Sequence, residues 1–369
     1  MAQTISRISV YTAQVPIKEG TYTMSHGRAL DYFDSTIARI DTKEGLTGWG
    51  EVVPLGSTYL PSYVAGARTG IQELAPHLIG QDATQLEAIN RIMDTALKGH
   101  PYCKSPLDQA CWDILGKEAG LPVHILLGGR FGEKVRLYRS ITQEAPEAMV
   151  ERIKGFKAQG YKQFQLKVGG EVDVDIERII ATAGAVDPDD GLVADANGGW
   201  FPHEAAKVVR AARDLKVVIE QPCTTYEENL TIRRRCDHPF VLDESIQSMG
   251  DLLRGIGDGA MDAINIKLSK LGGLTRARAI RDVCVASGIA MTIEDTAATD
   301  IGVASVIALA HATPVELRFS ATLSHVKLAH ATAEGAPVVK NGEAAASMAP
   351  GLGIEPLMDV LGEPIFTVS

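Results

Sequence analysis

Five residues in the second half of this chain bring acids and amines into nearly even register: Lys167, Asp195, Glu220, Asp243 and Lys267. The gaps between them are 28, 25, 23 and 24 residues, each about the length of one strand, one helix and two short loops. Each residue is therefore expected to end a different strand of a repeating β/α unit, and such units gather their strand ends at one rim of a barrel. Three carboxylates converging from separate strands offer hard oxygen ligands suited to Mg²⁺ or Mn²⁺. Zinc is disfavoured because no histidine or cysteine pair accompanies the acids, and the nine histidines show no ligand spacing.

A cation chelated by a substrate carboxylate stabilises the negative charge that develops when the neighbouring C–H is deprotonated. A lysine on each side of that carbon could remove a proton from one face and return one to the other. A basic lysine must first lose its charge, against an ordinary pKa of about 10.4, and burial beside a cation is expected to lower it.

Positioning these groups takes a barrel. From Val135 onward, eight short apolar runs alternate with helical stretches, at 135–140, 163–168, 191–195, 217–220, 240–243, 263–267, 290–293 and 315–319. Eight runs fit a closed parallel ring. Alternation turns Gln163, Gln165 and Lys167 inward and sends Phe164, Leu166 and Val168 to the outer helices; Asn265 and Lys267 repeat the pattern. Lys167 and Lys267 would then close the second and sixth strands, opposite each other, with the three acids on the arc between them.

Blander roles compete for each residue. A lone acid after a strand is more often a helix cap or an ion-pair partner; it is the set that argues for a metal. Lys270, in Lys-Leu-Ser-Lys, is expected in a loop with a solvated or phosphate-binding role. Glu294 and Asp295 could bond a lysine or substrate, or serve structure alone. Tyr22, Tyr59 and Tyr63 fit packing better than substrate contact, although loops over a barrel mouth commonly set specificity.

The chain has 369 residues, and a barrel of roughly 200 to 250 leaves room for a second part. We assign residues 1–130 to an α+β capping domain, 131–325 to the barrel, and 326–369 to a segment returning to the cap as irregular chain. In the cap, residues 5–15 and 35–52 alternate as an antiparallel sheet around the Lys43-Glu44-Gly45 turn. The segments 17–33 and 54–63 read as loops, and 64–119 is helical. The fold class is α/β, a modified TIM barrel of (β/α)7β or (β/α)8 type with an N-terminal α+β domain.

A hydrophobic content of 45% with 22% charged residues fits a globular protein with a sizeable core. The net charge of −10 opposes binding to nucleic acid or an anionic membrane. No apolar run suits a signal peptide or membrane span, so a soluble cytoplasmic protein is expected. The five cysteines form no Cys-x-x-Cys pair and read as buried thiols, Cys223 being notable for following a candidate ligand.

Taken together, Gln165-Leu166-Lys167, Asp195-Ala196-Asn197, Glu220-Gln221-Pro222, Asp243-Glu244-Ser245, Asn265-Ile266-Lys267 and Leu271-Gly272-Gly273-Leu274 resemble the enolase superfamily, in its muconate lactonizing enzyme and mandelate racemase-like branch. Gly48-Trp49-Gly50-Glu51 and Leu127-Gly128-Gly129 extend the likeness over nearly the whole chain. The resemblance implies Mg²⁺ held by Asp195, Glu220 and Asp243, acid/base lysines at 167 and 267, and a lid formed by the loops 17–33 and 54–63, beneath which Tyr59, Gln165, Asn197 and Asp295 are the candidate substrate contacts. It also implies a homo-oligomer, dimer to octamer, acting on a small carboxylate.

One departure from the branch is informative. Many members carry Lys-x-Lys where this chain has Gln165-Leu166-Lys167, and the neutral amide cannot help depress the Lys167 pKa. The variant resembles proline betaine epimerases and cis-3-hydroxy-L-proline dehydratases, as does the lid Gly56-Ser57-Thr58-Tyr59-Leu60-Pro61-Ser62. The segments after the seventh and eighth runs contain no tryptophan to hold a quaternary ammonium, which favours a free imino or amino acid. The expected reaction is abstraction of the α-proton of a proline-like amino acid through an enolate, leading to dehydration or 2-epimerisation. Betaine epimerisation, and racemisation or cycloisomerisation of other amino acids or dipeptides, are the alternatives. A Schiff-base lyase and a non-catalytic binding barrel are the readings from other classes.

Overall fold

The structure is a computed structural model that describes residues 2–369. In the N-terminal part, β1 (Ile5–Pro16), β2 (Tyr32–Thr42) and β3 (Thr47–Val52) form an antiparallel meander, with Val10 opposite Ala38 and Ala38 opposite Gly50. Three helices, Val64–Leu78, Leu86–Ala96 and Pro101–Ala119, cover one face. The third lies directly on β3. A side chain at Gly50 would stand 2.0 Å from the Pro106 carbonyl oxygen, so only glycine lets helix and strand approach this closely.

That same helix joins the two parts of the molecule. The Trp112 indole N–H donates to the Thr275 hydroxyl (2.9 Å), and the buried Asp108 carboxylate accepts from the Thr275 amide (3.0 Å).

Eight parallel strands follow in chain order around one curled sheet: β4 (Arg139–Ile141), β5 (Gln163–Lys167), β6 (Gly191–Asp195), β7 (Val218–Glu220), β8 (Phe240–Leu242), β9 (Ala263–Lys267), β10 (Ala290–Glu294) and β11 (Arg318–Ala321). Phe164, Leu166, Ile264 and Ile266 are fully buried against the outer helices, while Gln165 and Asn265 turn inward. The ring has a seam. No ladder joins β4 to β11; the Tyr138 amide donates to the Ala321 carbonyl (2.9 Å), and Gln163 reaches the Phe319 carbonyl across the gap (3.2 Å).

The strands beside this seam depart from the sequence expectation. The run 135–140 is split: Val135–Arg136 pairs with Glu343–Ala344 outside the barrel, and the Leu137 amide goes to the Gly342 carbonyl, so the barrel strand begins only at Arg139. The last strand starts at Arg318 because the Pro314 carbonyl accepts from both Leu317 and Arg318, closing a turn through 315–317.

Two segments read as irregular also carry structure. Residues 17–33 contain a hairpin, Tyr22–Thr23 against Ala29–Leu30. In the tail, β12 (Phe366–Val368) adds an edge strand to β1, with Ile8 opposite Val368. Pieces of two or three residues leave no periodicity to read. No helix among the described residues is long and apolar enough to cross a membrane.

Candidate active site

Lys167, Asp195, Glu220 and Lys267 are the last residues of β5, β6, β7 and β9, and Asp243 follows β8 directly. Strand register sets Lys167 beside Asp195, Asp195 beside Glu220, and Lys267 beside Glu294. All six side chains are buried. The two lysines, four strands apart in the sheet, line one cavity beneath the loop that carries Tyr59.

Beyond Lys167 the chain bends sharply at Gly169 (φ +88°), which passes against the Ala196 carbonyl of the neighbouring strand end. The Asp175 carboxylate fixes this bend by accepting from the Gly169 amide (2.9 Å).

The amines and acids pair locally. Lys167 forms an ion pair with Asp195, and Lys267 with Asp243, donating also to the Tyr59 hydroxyl. Tyr59 in turn donates to Asp243 Oδ2 (3.1 Å). Glu294 Oε1 stands 3.5 Å from the Lys267 ammonium and its other oxygen accepts from Tyr138. Glu220 meets only amides: Gln165 Nε2 at 3.0 Å and Asn265 Nδ2 at 2.6 Å.

Burial pulls the lysine pKa values down, but the negative neighbours win. Asp195, Tyr22 and Glu220 carry Lys167 above its ordinary value, and Asp243 with Glu294 does the same for Lys267. The expected lowering of both lysines is therefore not produced by the protein's own groups, because the acids lie closer than any competing cation. Burial followed by the charges of Asp195 and Asp243 pushes Glu220 well above the carboxylate range, and burial with the Asp243 charge raises Glu244 to about 7. For Asp243 the order reverses: burial would raise it, and Lys267 and Lys270 together hold it below the usual range.

The acids do not stand as a ready-made cluster. Among the described residues no three or more His, Cys, Asp or Glu side chains are already arranged to hold a metal, although Asp195 and Asp243 stand near enough for their charges to raise Glu220. The reason is electrostatic, since each aspartate turns to the nearest ammonium. The donor chemistry still fits a divalent ion. The buried carboxylates of one rim oppose one another's ionisation, as Glu220 shows, and an added positive charge among them relieves that repulsion.

The reading of Lys270 needs revision. Lys270 is neither in a loop nor solvated: it lies in the one-turn helix Leu268–Leu271, buried, and donates to Asp243 Oδ1 (2.8 Å) and to the carbonyls of Asp243 (2.7 Å) and Asn265 (2.9 Å). Gln165 lines the cavity but commits its amide N–H to Glu220. Asn197 bridges Asp195 Oδ2 and Glu244 Oε1, both at 3.0 Å, and so orients acids rather than facing the cavity. Asp295 lines the cavity, its Oδ1 accepting from the Ser269 amide (3.0 Å) and the Thr296 amide (2.7 Å), and Glu294 is the member of that pair that meets Lys267. Tyr63 is half exposed and packs near Tyr102. The Cys223 thiol is buried and pushed up to about 12 by burial, which suits packing rather than ligation.

Glu244, Tyr138 and Lys327 joined the site unannounced. None of these three follows a local pattern, whereas Glu294, already a candidate, continues the inward alternation of Thr292 in β10.

The chain matches the family description "Mandelate racemase / muconate lactonizing enzyme, N-terminal domain" over residues 5–128 and "Enolase C-terminal domain-like" over 148–360. It is 55% identical over 361 residues to a cis-3-hydroxy-L-proline dehydratase of Roseibium aggregatum, covering 98% of each chain. It is 31% identical to an N-succinyl-L-Arg/Lys racemase of Bacillus cereus, covering 97% of each. Among solved structures, a putative mandelate racemase/muconate lactonizing enzyme from Roseovarius nubinhibens complexed with magnesium superposes with a TM-score of 0.96 at 36% identity, covering 99% of this chain and 100% of that one. With its own N-terminal meander, eight parallel strands and rim of acids and lysines, the chain belongs to the mandelate racemase/muconate lactonizing enzyme family of the enolase superfamily.

Proposed function

We propose that this protein is a Mg²⁺-dependent dehydratase of cis-3-hydroxy-L-proline, with Lys167 and Lys267 as its acid/base pair. The observation that carries this reading is the pair of buried lysines lining one cavity from strands four apart, with buried acids on the arc between. The likeness to the Roseibium aggregatum dehydratase supports the choice of substrate. The Roseovarius nubinhibens structure with magnesium supports the ion, and Mn²⁺ offers similar coordination chemistry.

Asp195, Glu220 and Asp243 would hold the ion. When bound, it supplies positive charge to the substrate carboxylate as the α-carbon becomes electron-rich. With Asp195 and Asp243 engaged in holding an ion, Lys167 and Lys267 would lose the pairing that raises them, and burial would then lower the amines toward the range a base needs.

Stereochemistry matches two opposed amines. In cis-3-hydroxyproline the carboxylate and hydroxyl share one ring face, so the α-hydrogen lies on the face opposite the hydroxyl. One lysine, as free amine, takes the α-proton. The C–H pair becomes the C2–C3 double bond as the C3–O bond breaks, and the other lysine, as ammonium, protonates the departing oxygen to water. The cyclic enamine product then tautomerises to an imine.

Inversion at C2 shares the first step, and the racemase relative supports it as a side reaction on substrates without a 3-hydroxyl. A betaine fits less well, because the face of Tyr22 already carries the Lys327 ammonium, 4.0 Å from its ring centroid.

Incubation with cis-3-hydroxy-L-proline and magnesium should yield one water and one cyclic imine per substrate, with no product in EDTA. Product formation that persists in EDTA, or none with magnesium present, refutes the proposal.

A further inference from the structure

The acid/base pair and the acids leave one buried cation of the cavity without a task. Lys327, in the short 3-10 turn Ser324–Lys327 after β11, is 8% exposed and lines the cavity together with Tyr22 and Ser140. Its ammonium donates to the Ser140 hydroxyl and lies over the Tyr22 ring. Among the described residues no acid stands within ion-pair distance of it, unlike Lys167, Lys267 and Lys270. A buried donor group of this kind, satisfied by one neutral oxygen and a ring face, retains capacity for a further acceptor.

Its place decides what that acceptor is. The acids occupy β6 to β8, so a substrate carboxylate directed toward them points its ring at the opposite wall, where β4 carries Ser140 and the segment after β11 carries Lys327. Resting on the proline reading above, we propose that Lys327 is a specificity-determining residue that donates a hydrogen bond to the ring hydroxyl, selecting hydroxylated over unsubstituted proline.

The surroundings support a donor at either protonation state. Burial and Arg139 push Lys327 down to about 7, Lys167 adds to the lowering, and Glu19 and Glu294 oppose it. Both the amine and the ammonium carry N–H groups.

The test compares dehydration of cis-3-hydroxy-L-proline with α-hydrogen exchange of L-proline in D₂O, for wild type and Lys327→Met. A lost hydrogen bond to a substrate hydroxyl should lower kcat/KM for the hydroxylated substrate about 10- to 100-fold more than it lowers L-proline exchange, mainly through KM. Lys327→Gln, which is too short to span the same gap, should show the same loss and serves where Lys327→Met does not fold. An unchanged ratio overturns the proposal, as does an equal fall for both substrates or a fall in kcat at constant KM. Wild-type protein inactive on both compounds overturns the proline reading instead. Calorimetric titration of magnesium-loaded wild type and variant with the two compounds then reads the same preference as a ratio of Kd values.

Discussion

Gly169 ties local backbone geometry to the reacting groups, and Gly169→Ala tests that tie. The residue sits at φ +88°, where an added Cβ would stand 2.2 Å from the Ala196 carbonyl oxygen and 2.9 Å from Ser25 Cβ. Relief by a shift of the bend is opposed by the Gly169 amide bond to Asp175 (2.9 Å) and the Val168 amide bond to the Asp195 carbonyl (2.9 Å). Left-handed backbone costs a residue with a Cβ roughly 1–2 kcal/mol. Overpacking against backbone adds about 1–3 kcal/mol, so the expected loss of stability is about 2–5 kcal/mol. Because Lys167 and Asp195 flank this contact, prying the strand ends apart also misplaces the amine. A shift of about 1 Å is worth about 10²-fold in rate. Urea unfolding followed by tryptophan fluorescence reads the first effect, and dehydration of cis-3-hydroxy-L-proline reads the second. Stability within about 0.5 kcal/mol of wild type, with activity within about 3-fold, would refute the argument that this close approach fixes the site.

Magnesium at a hundredfold excess over its Kd should stabilise the wild type by about 2.7 kcal/mol, seen as a higher Tm than in EDTA, and Glu220→Gln should abolish most of that shift. Lys270→Met removes one partner of a buried pair and should cost about 3–5 kcal/mol in urea unfolding; a loss below about 1 kcal/mol would mean Asp243 does not depend on it. His311 is buried, accepts from the Ala346 amide at Nδ1, and is held down to about 4 by burial and then Arg130. Its neutral form is the folded form, so the stability it contributes is complete above about pH 6.5 and is lost as pH falls toward 4. The loss should reach about 2–3 kcal/mol, and His311→Gln should flatten that part of the pH profile.

The parts of the site that could be read from sequence are those that end regular strands. Lys167, Asp195, Glu220 and Lys267 each close a short apolar run at a near-constant interval, and one rim of a parallel barrel collects such ends. Lys270 and Lys327 lie on single helical turns after β9 and β11, where side-chain direction follows tertiary packing and no local pattern betrays burial. Asn197 and Asp295 stand in the right neighbourhood, yet their partners are Asp195 and Ser269, set by loop geometry that spacing alone does not encode. The seam strands escape the sequence pattern for a related reason: Val135–Arg136 is apolar enough for a barrel strand, but its partner comes from the tail more than 200 residues away.

Enantiomer-resolved α-hydrogen exchange in D₂O tests the two-base arrangement most directly. Wild type with magnesium should exchange both L- and D-proline, Lys167→Met should exchange one enantiomer only, and Lys267→Met should exchange only the other. Loss of both enantiomers in both variants, or exchange that continues in EDTA, would contradict an active site in which two lysines face opposite sides of one metal-held carboxylate.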